Sequence, residues 1–184
     1  MPAMRAKFQS ARVPQVVFGA GTITELPTMV KSRGFSRIGI VTGATWLPES
    51  ENWLMLLRGF GDRGCRVTHR TTSGEPSPGR VDEIAEAFRH DEVGLVLGIG
   101  GGSVLDTAKA AAVAAVVEGS IGDYVEGVGT RQPDGTTLPM IAVPTSAGTG
   151  SEATKNAVLS ETGEGGFKKS LRHDNFIPHT ALID

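Results

Sequence analysis

Three consecutive glycines, Gly100, Gly101 and Gly102, separate an apolar run, Val93 to Ile99, from a stretch that opens with Ser103 and continues into alanines. Residues without a Cβ let main-chain N–H groups come close to a ligand, and the free amides at a helix start carry partial positive charge. A buried strand that feeds through bare backbone into a helix can grip an anion, and a dinucleotide's pyrophosphate would sit there. Ser103 could cap the helix or bond a phosphate oxygen. Alone the glycines are a modest signal, because structural strand-to-helix turns use them too.

A second loop adds weight. The apolar run Leu138 to Val143 stops at Pro144, which cannot donate to a strand ladder, and Thr145-Ser146-Ala147-Gly148-Thr149-Gly150-Ser151 follows. Its hydroxyls could hold ribose, an adenine edge or phosphate, or could equally satisfy only the local backbone of a turn. Two such loops in one sheet make a cleft.

The elements that must position these loops read as a strand-helix alternation. Val16-Val17-Phe18 is a short strand, Thr22 to Arg33 a first helix, Arg37 to Thr42 a strand leading through Gly43 to a helix over Glu49 to Arg63. Cys65 to Arg70 is the next strand, Pro78 to His90 the next helix, and Val93 to Ile99 with Ser103 to Glu118 complete the series. Apolar strands alternating with helices need crossover connections, which predicts an α/β fold: a parallel, Rossmann-like sheet with helices on both faces and ligands at the carboxyl ends of its strands. Beyond Leu138 to Val143, the segments Ala153 to Ser160 and Phe167 to Arg172 read as a C-terminal β-hairpin turning near Gly163-Glu164-Gly165-Gly166.

With 184 residues, 39% hydrophobic and 21% charged, the chain can bury one core and is expected to form a single domain over residues 1–184. A net charge of −2 and 5% aromatics give neither a basic field nor stacking platforms, so nucleic acid is not an expected partner. The longest apolar run, Ala110 to Val117, is too short to span a bilayer, and Met1 to Gln15 has no apolar leader core. The lone Cys65 reads as a small core residue, and the expectation is a cytoplasmic protein with no membrane partner.

These residues resemble the iron-containing (group III) alcohol dehydrogenases. The likeness is carried by Phe18-Gly19-Ala20-Gly21, by Gly100 to Lys109, by Pro144 to Glu152, and by Lys168 upstream of Pro178 to Asp184, in the same order and spacing. It covers nearly the whole chain but only the N-terminal, nucleotide-binding half of that family's fold. The resemblance implies an NAD(P)-binding α/β domain, with a helical metal-binding domain of the family absent from this chain. Gly101, Gly102 and Ser103 would hold the pyrophosphate, Thr145, Ser146 and Thr149 the adenosine side, and Lys168 the ribose hydroxyls. Asp106, matching the family pattern, is the candidate catalytic residue at the nicotinamide end; the plainer alternative is an i,i+3 pair with Lys109 on a solvated helix face.

Where many family members carry an acidic residue after the second strand, this chain has Gly43. A carboxylate there would repel a 2′-phosphate, so its absence favours NADP over NAD, with Thr42 or Thr45 as possible donors; alternatively Gly43 only permits a tight turn. The implied Fe²⁺ or other divalent metal would take one Asp and three His from beyond Asp184, and His69, His90, His173 and His179 form no replacement cluster. The implied activity is hydride transfer between nicotinamide and a primary alcohol or aldehyde, with this chain alone inactive and homo-oligomeric. A maleylacetate reductase, a polyol dehydrogenase or a stand-alone dinucleotide module are the alternatives.

Overall fold

The computed structural model of the protein describes residues 12–45, 47 and 50–184. Along them run β1 (Gln15–Phe18), α1 (Leu26–Ser32), β2 (Arg37–Gly43), α2 (Glu51–Gly61), β3 (Arg66–Thr72), α3 (Pro78–His90), β4 (Leu95–Gly100) and α4 (Gly102–Ala114). They continue with β5 (Met140–Pro144), β6 (Asn156–Glu161), β7 (Phe167–Arg172) and β8 (Thr180–Ile183). Six strands form one parallel sheet in the order β1-β8-β5-β4-β2-β3, and β6 and β7 pair antiparallel as the expected hairpin.

Helices cover both faces, as the alternation of elements predicts. Residues Leu26, Val30, Trp53, Leu56 and Phe60 of α1 and α2 close over Ile38, Ile40, Leu95, Leu97 and Ile99 on one face. On the other, α3 contributes Val81, Ile84, Ala85 and Phe88, and α4 contributes Val104, Leu105 and its alanines. Local chemistry starts these helices. Ser50 accepts from the Trp53 amide at 3.2 Å to open α2, and Ser77 from the Arg80 amide at 3.3 Å, with Pro78 at the first position, to open α3.

The fourth helix differs. Every residue from Val104 to Ala114 is buried, because the sheet, α3 and β6 surround it, so a two-sided apolar pattern is replaced by small side chains that let neighbours close in. It ends at Ala114, four residues before the expected Glu118, and begins at Gly102. The first helix is likewise shorter than expected: a 3-10 turn over Thr22–Glu25 precedes α1, which starts just before Pro27. The expected start of α2 at Glu49, and residues 1–11 of the basic leader stretch, lie outside the described residues.

One strand has no counterpart in the sequence reading. β8 slots between β1 and β5, in register with Gln15 to Phe18 on one side and with Ile141 and Ala142 on the other. Four residues, Thr-Ala-Leu-Ile, are too few to show a period, and only the sheet around them makes them a strand. Next to it, the Asp184 carboxylate accepts from the Gly21 and Ile23 amides, each at 2.8 Å, tying residue 184 to the 3-10 turn after β1. Between β2 and β4 the chain path turns from one direction across the sheet to the other, the place where parallel α/β sheets leave a crevice at their carboxyl edge.

Candidate functional site

The ends of β2, β4 and β5 lie in a row. Thr42 is in register with Ile99 and Gly100 with Pro144, so Gly43, Gly101 and Thr145 leave the sheet side by side. The Thr145 amide donates to the Gly100 carbonyl at 3.0 Å, which joins the roots of the two loops. Gly100 is buried, and a Cβ on it would stand 2.7 Å from the Val104 side chain, so the turn into α4 requires glycine there. A Cβ on Gly102 would meet Thr149 at 3.0 Å, and one on Gly101 the Ser146 hydroxyl at 3.4 Å. Glycine backbone and hydroxyl loop thus face each other directly.

Gly101 is the residue that caps α4, and no side chain bonds the free amides of the first turn. Ser103 lies one residue inside the helix with its side chain exposed, so its alternative role as the cap is not realised. Undirected amides and partial positive charge open toward a cleft of about 360 Å³ lined by Glu75, Pro76, Gly102, Ser103, Asp106, Thr149, Ser151, Val158 and Lys168.

Asp106 forms the floor of that cleft. One carboxylate oxygen, Oδ2, accepts from the Val158 amide at 3.0 Å, while Oδ1 is buried with no hydrogen bond and faces the Lys109 ammonium. Burial holds its carboxyl above the usual range, and the Val158 amide and the Lys109 cation oppose this only in part. The i,i+3 pair with Lys109 exists, at 4.0 Å, but the two side chains are 11% and 2% exposed, so the solvated helix face considered from the sequence is replaced by a buried ion pair. Lys109 Nζ donates to three backbone carbonyls, Ser151 at 2.9 Å, Thr154 at 2.9 Å and Asn156 at 2.7 Å.

Lys168, on β7, lies across the mouth and pairs with Glu75, whose other oxygen accepts from the Ser160 hydroxyl at 2.7 Å. Those bonds, from Lys168 first and Ser160 second, hold the Glu75 carboxyl below its ordinary range. The Ser160 amide donates to the Pro76 carbonyl at 2.8 Å, so the hairpin is laced to the β3–α3 loop and closes the side of the cleft.

Of the residues singled out from sequence, the cleft therefore gathers Gly102, Ser103, Asp106, Thr149 and Lys168. Gly101, Thr145 and Ser146 flank it along the strand ends, Gly100 packs on Val104 behind it, and Gly43, beside them at the end of β2, does not line it. No left-handed φ is recorded at Gly43, and a Cβ there would meet only Val104 Cγ2, at 4.0 Å. The turn thus does not demand a glycine. Thr42, a candidate donor to a 2′-phosphate, is fully buried: its hydroxyl donates to the Gly43 carbonyl at 2.9 Å and meets His69 Nε2 at 2.8 Å. That role is withdrawn for Thr42 because its hydrogen-bonding capacity is spent inside the sheet.

Ser151, one of the loop hydroxyls, also lines the cleft, whereas Glu75 and Val158 were not anticipated. Glu75 had a signal, an acid in the Gly-Pro-rich loop at the carboxyl end of β3; Lys109 had one too, a cation among alanines that must lie in the core. Among the described residues no three His, Cys, Asp or Glu side chains converge to hold a metal, and no helix is long and apolar enough to cross a membrane.

A parallel α/β sheet with helices on both faces, and with a glycine loop and a hydroxyl loop facing each other at its carboxyl edge, is a Rossmann-like architecture. The family model for iron-containing alcohol dehydrogenase matches residues 14–184, and the chain belongs to that family. It is 44% identical over 119 residues to long-chain-alcohol dehydrogenase 1 of Geobacillus thermodenitrificans, covering 63% of this chain and 29% of that protein. The NADH-dependent butanol dehydrogenase A of Thermotoga maritima superposes with a TM-score of 0.87 at 28% identity over 97% of this chain and 44% of that one. The sulfoacetaldehyde reductase of Bifidobacterium kashiwanohense, solved in complex with NAD+, gives 0.83 at 32% identity over 97% of this chain and 46% of that one. The chain thus spans less than half the length of each of these relatives.

Proposed function

We propose that residues 1–184 form the dinucleotide-binding domain of a metal-dependent alcohol dehydrogenase or aldehyde reductase, which transfers hydride between a nicotinamide cofactor and a primary alcohol or aldehyde. The observation that carries the reading is the meeting of an uncapped helix start, the close approach of Gly102 and Thr149, and the Asp106 carboxylate in one cleft. Family membership and the NAD+ bound to one relative support the cofactor class.

In this reading the amides of Gly101, Gly102 and Ser103 hold the diphosphate, and Thr145, Ser146 and Thr149 contact the adenosine half. Lys168 donates to ribose hydroxyls, exchanging Glu75 for them. The Asp106 carboxylate, which lines the cleft, accepts from an N–H or O–H at the nicotinamide end, which orients the ring. The dinucleotide, when bound, supplies the hydride carrier. The described residues do not fit a metal site, so an iron of the kind in the family's name takes its ligands from outside them. Edge strand β1, with Val16 and Phe18 58% and 80% exposed, favours a homo-oligomer, which light scattering of the intact protein would measure.

The position of Gly43 favours NADP, and substitution tests cofactor class and preference together. Space exists for a side chain, so Gly43→Asp should fold normally, keep NADH binding and weaken NADPH binding by roughly ten-fold or more through repulsion of the 2′-phosphate. Fluorescence titration with both nucleotides reads this out. Failure of the unsubstituted protein to bind either one would end the proposal.

A further inference from the structure

We propose that Lys109 is the positioning residue of this cleft: its buried ammonium gathers the carbonyls of Ser151, Thr154 and Asn156 and so holds the hydroxyl loop against the glycine loop. The inference rests on the dinucleotide reading above but assigns Lys109 no contact with the ligand.

An ammonium has three N–H donors, and all three are used on the segment that leaves the hydroxyl loop and enters β6. From Ser151 to Lys155 the segment belongs to no strand ladder, so the Ser151 and Thr154 carbonyls would otherwise need water that the 2% exposure of Lys109 excludes. Two residues before it stands Thr149, the side chain pressed against Gly102. From the same helix Asp106 holds the Val158 amide. A single turn of α4 therefore secures both the loop exit and the start of the hairpin, from positions 42 to 52 residues away in sequence.

The charge on Lys109 is the variable part. Burial lowers its pKa to about 8, and Asp106 on its own helix and Glu152 on the loop hold it from falling further. At the cleft mouth Glu75 and Lys168 neutralise each other, α3 turns Val81, Ile84, Ala85 and Phe88 inward, and its Asp82 is spent on Ser120 and Ile121. Above about 8 the neutral amine keeps fewer donors than there are carbonyls, and the loop loosens. Fold stability responds in the opposite sense. The folded pKa lies below the unfolded value, so the unfolded chain holds more protons between the two, and this group's contribution to stability rises with pH across that window.

The test compares unsubstituted protein, Lys109→Met and Lys109→Arg in the intact protein, by NADPH fluorescence titration at about pH 7 and about pH 9.5 and by amide hydrogen exchange over residues 151–157. Lys109→Met should weaken binding roughly ten-fold or more and abolish its pH dependence, while Lys109→Arg, which keeps charge and donors, recovers part of it. Exchange over 151–157 should accelerate in Lys109→Met without nucleotide present. Unsubstituted protein should lose affinity as pH rises while its melting temperature does not fall in step. If Lys109→Met binds NADPH like the unsubstituted protein, or if exchange in the loop is unchanged, the positioning role is wrong though the cofactor reading stands. If Lys109→Met does not fold, a pH-independent affinity of the unsubstituted protein over the same range overturns the proposal. Absence of any NADPH or NADH binding by unsubstituted protein overturns both readings, whereas accelerated exchange alone cannot rescue the second.

Discussion

The two loops that meet at the carboxyl edge of the sheet are held in opposite ways. The glycine loop is fixed from within: Gly100 is buried against Val104, the chain enters α4 at once, and the geometry follows from side chains within four residues. The hydroxyl loop is exposed from Thr145 to Thr149, with Gly148 at φ 109°, and is held at its ends by the Gly100 carbonyl and by Lys109. One loop carries its own order and the other borrows it. On the dinucleotide reading proposed above, the stiff half recognises an anion by backbone and the adjustable half adapts through hydroxyls.

The contrast can be broken most forcefully at Gly102, where the stiff loop touches the adjustable one. Gly102→Val drives a branched side chain into Thr149 and should cost roughly a hundred-fold in dinucleotide affinity, with the circular dichroism spectrum of the fold retained. Affinity within a few-fold of normal would mean that the loops do not act as one surface.

Asp106→Asn probes the floor that both halves share. Removing the carboxylate takes a stabilising charge from Lys109, so the loss of dinucleotide affinity with rising pH should begin below about 8, and affinity near neutrality should fall roughly ten-fold. Stability gives a second readout. The folded pKa of Asp106 is raised, so its contribution favours the folded state at acid pH and is lost as pH rises through that value. Asp106→Asn should erase this slope in a melting-temperature series. An unshifted pH dependence of binding would separate Asp106 from Lys109.

The smallest effect is expected at the rim. Lys168 and Glu75 are 62% and 52% exposed, so Lys168→Met should leave stability within about 1 kcal/mol and reduce affinity about five-fold, while Glu75→Gln, which frees the ammonium, should raise affinity about two-fold. Equal losses in both variants would make the pair a brace for the hairpin.

Local steric logic made the stiff half readable from sequence. Apolar run, glycines and helix start lie together between Val93 and Ser103, and the sheet, the alternation of helices and the β6–β7 hairpin follow from equally short-range patterns. What escaped was set by distant partners. Lys109 could be placed on a solvated face because nothing near it in sequence announces that residues 151–156 wrap around it. Glu75 is drawn into the cleft by Lys168, 93 positions away. Thr42 looked available until β3 brought His69 beside it, and β8 became a strand only because β1 and β5 flank a gap of its width.

That last strand governs the order of assembly. Among the described residues β1 has no partner in the sheet other than β8, so it must wait for residues 180–183 before it can dock, and the Asp184 carboxylate then fastens the closure. Loop-closure entropy makes a union across more than 160 residues late and slow. The interior strands and the two loops at their carboxyl ends can mature first, while β1, with Val16 and Phe18 exposed, is the last to be shielded from neighbouring chains.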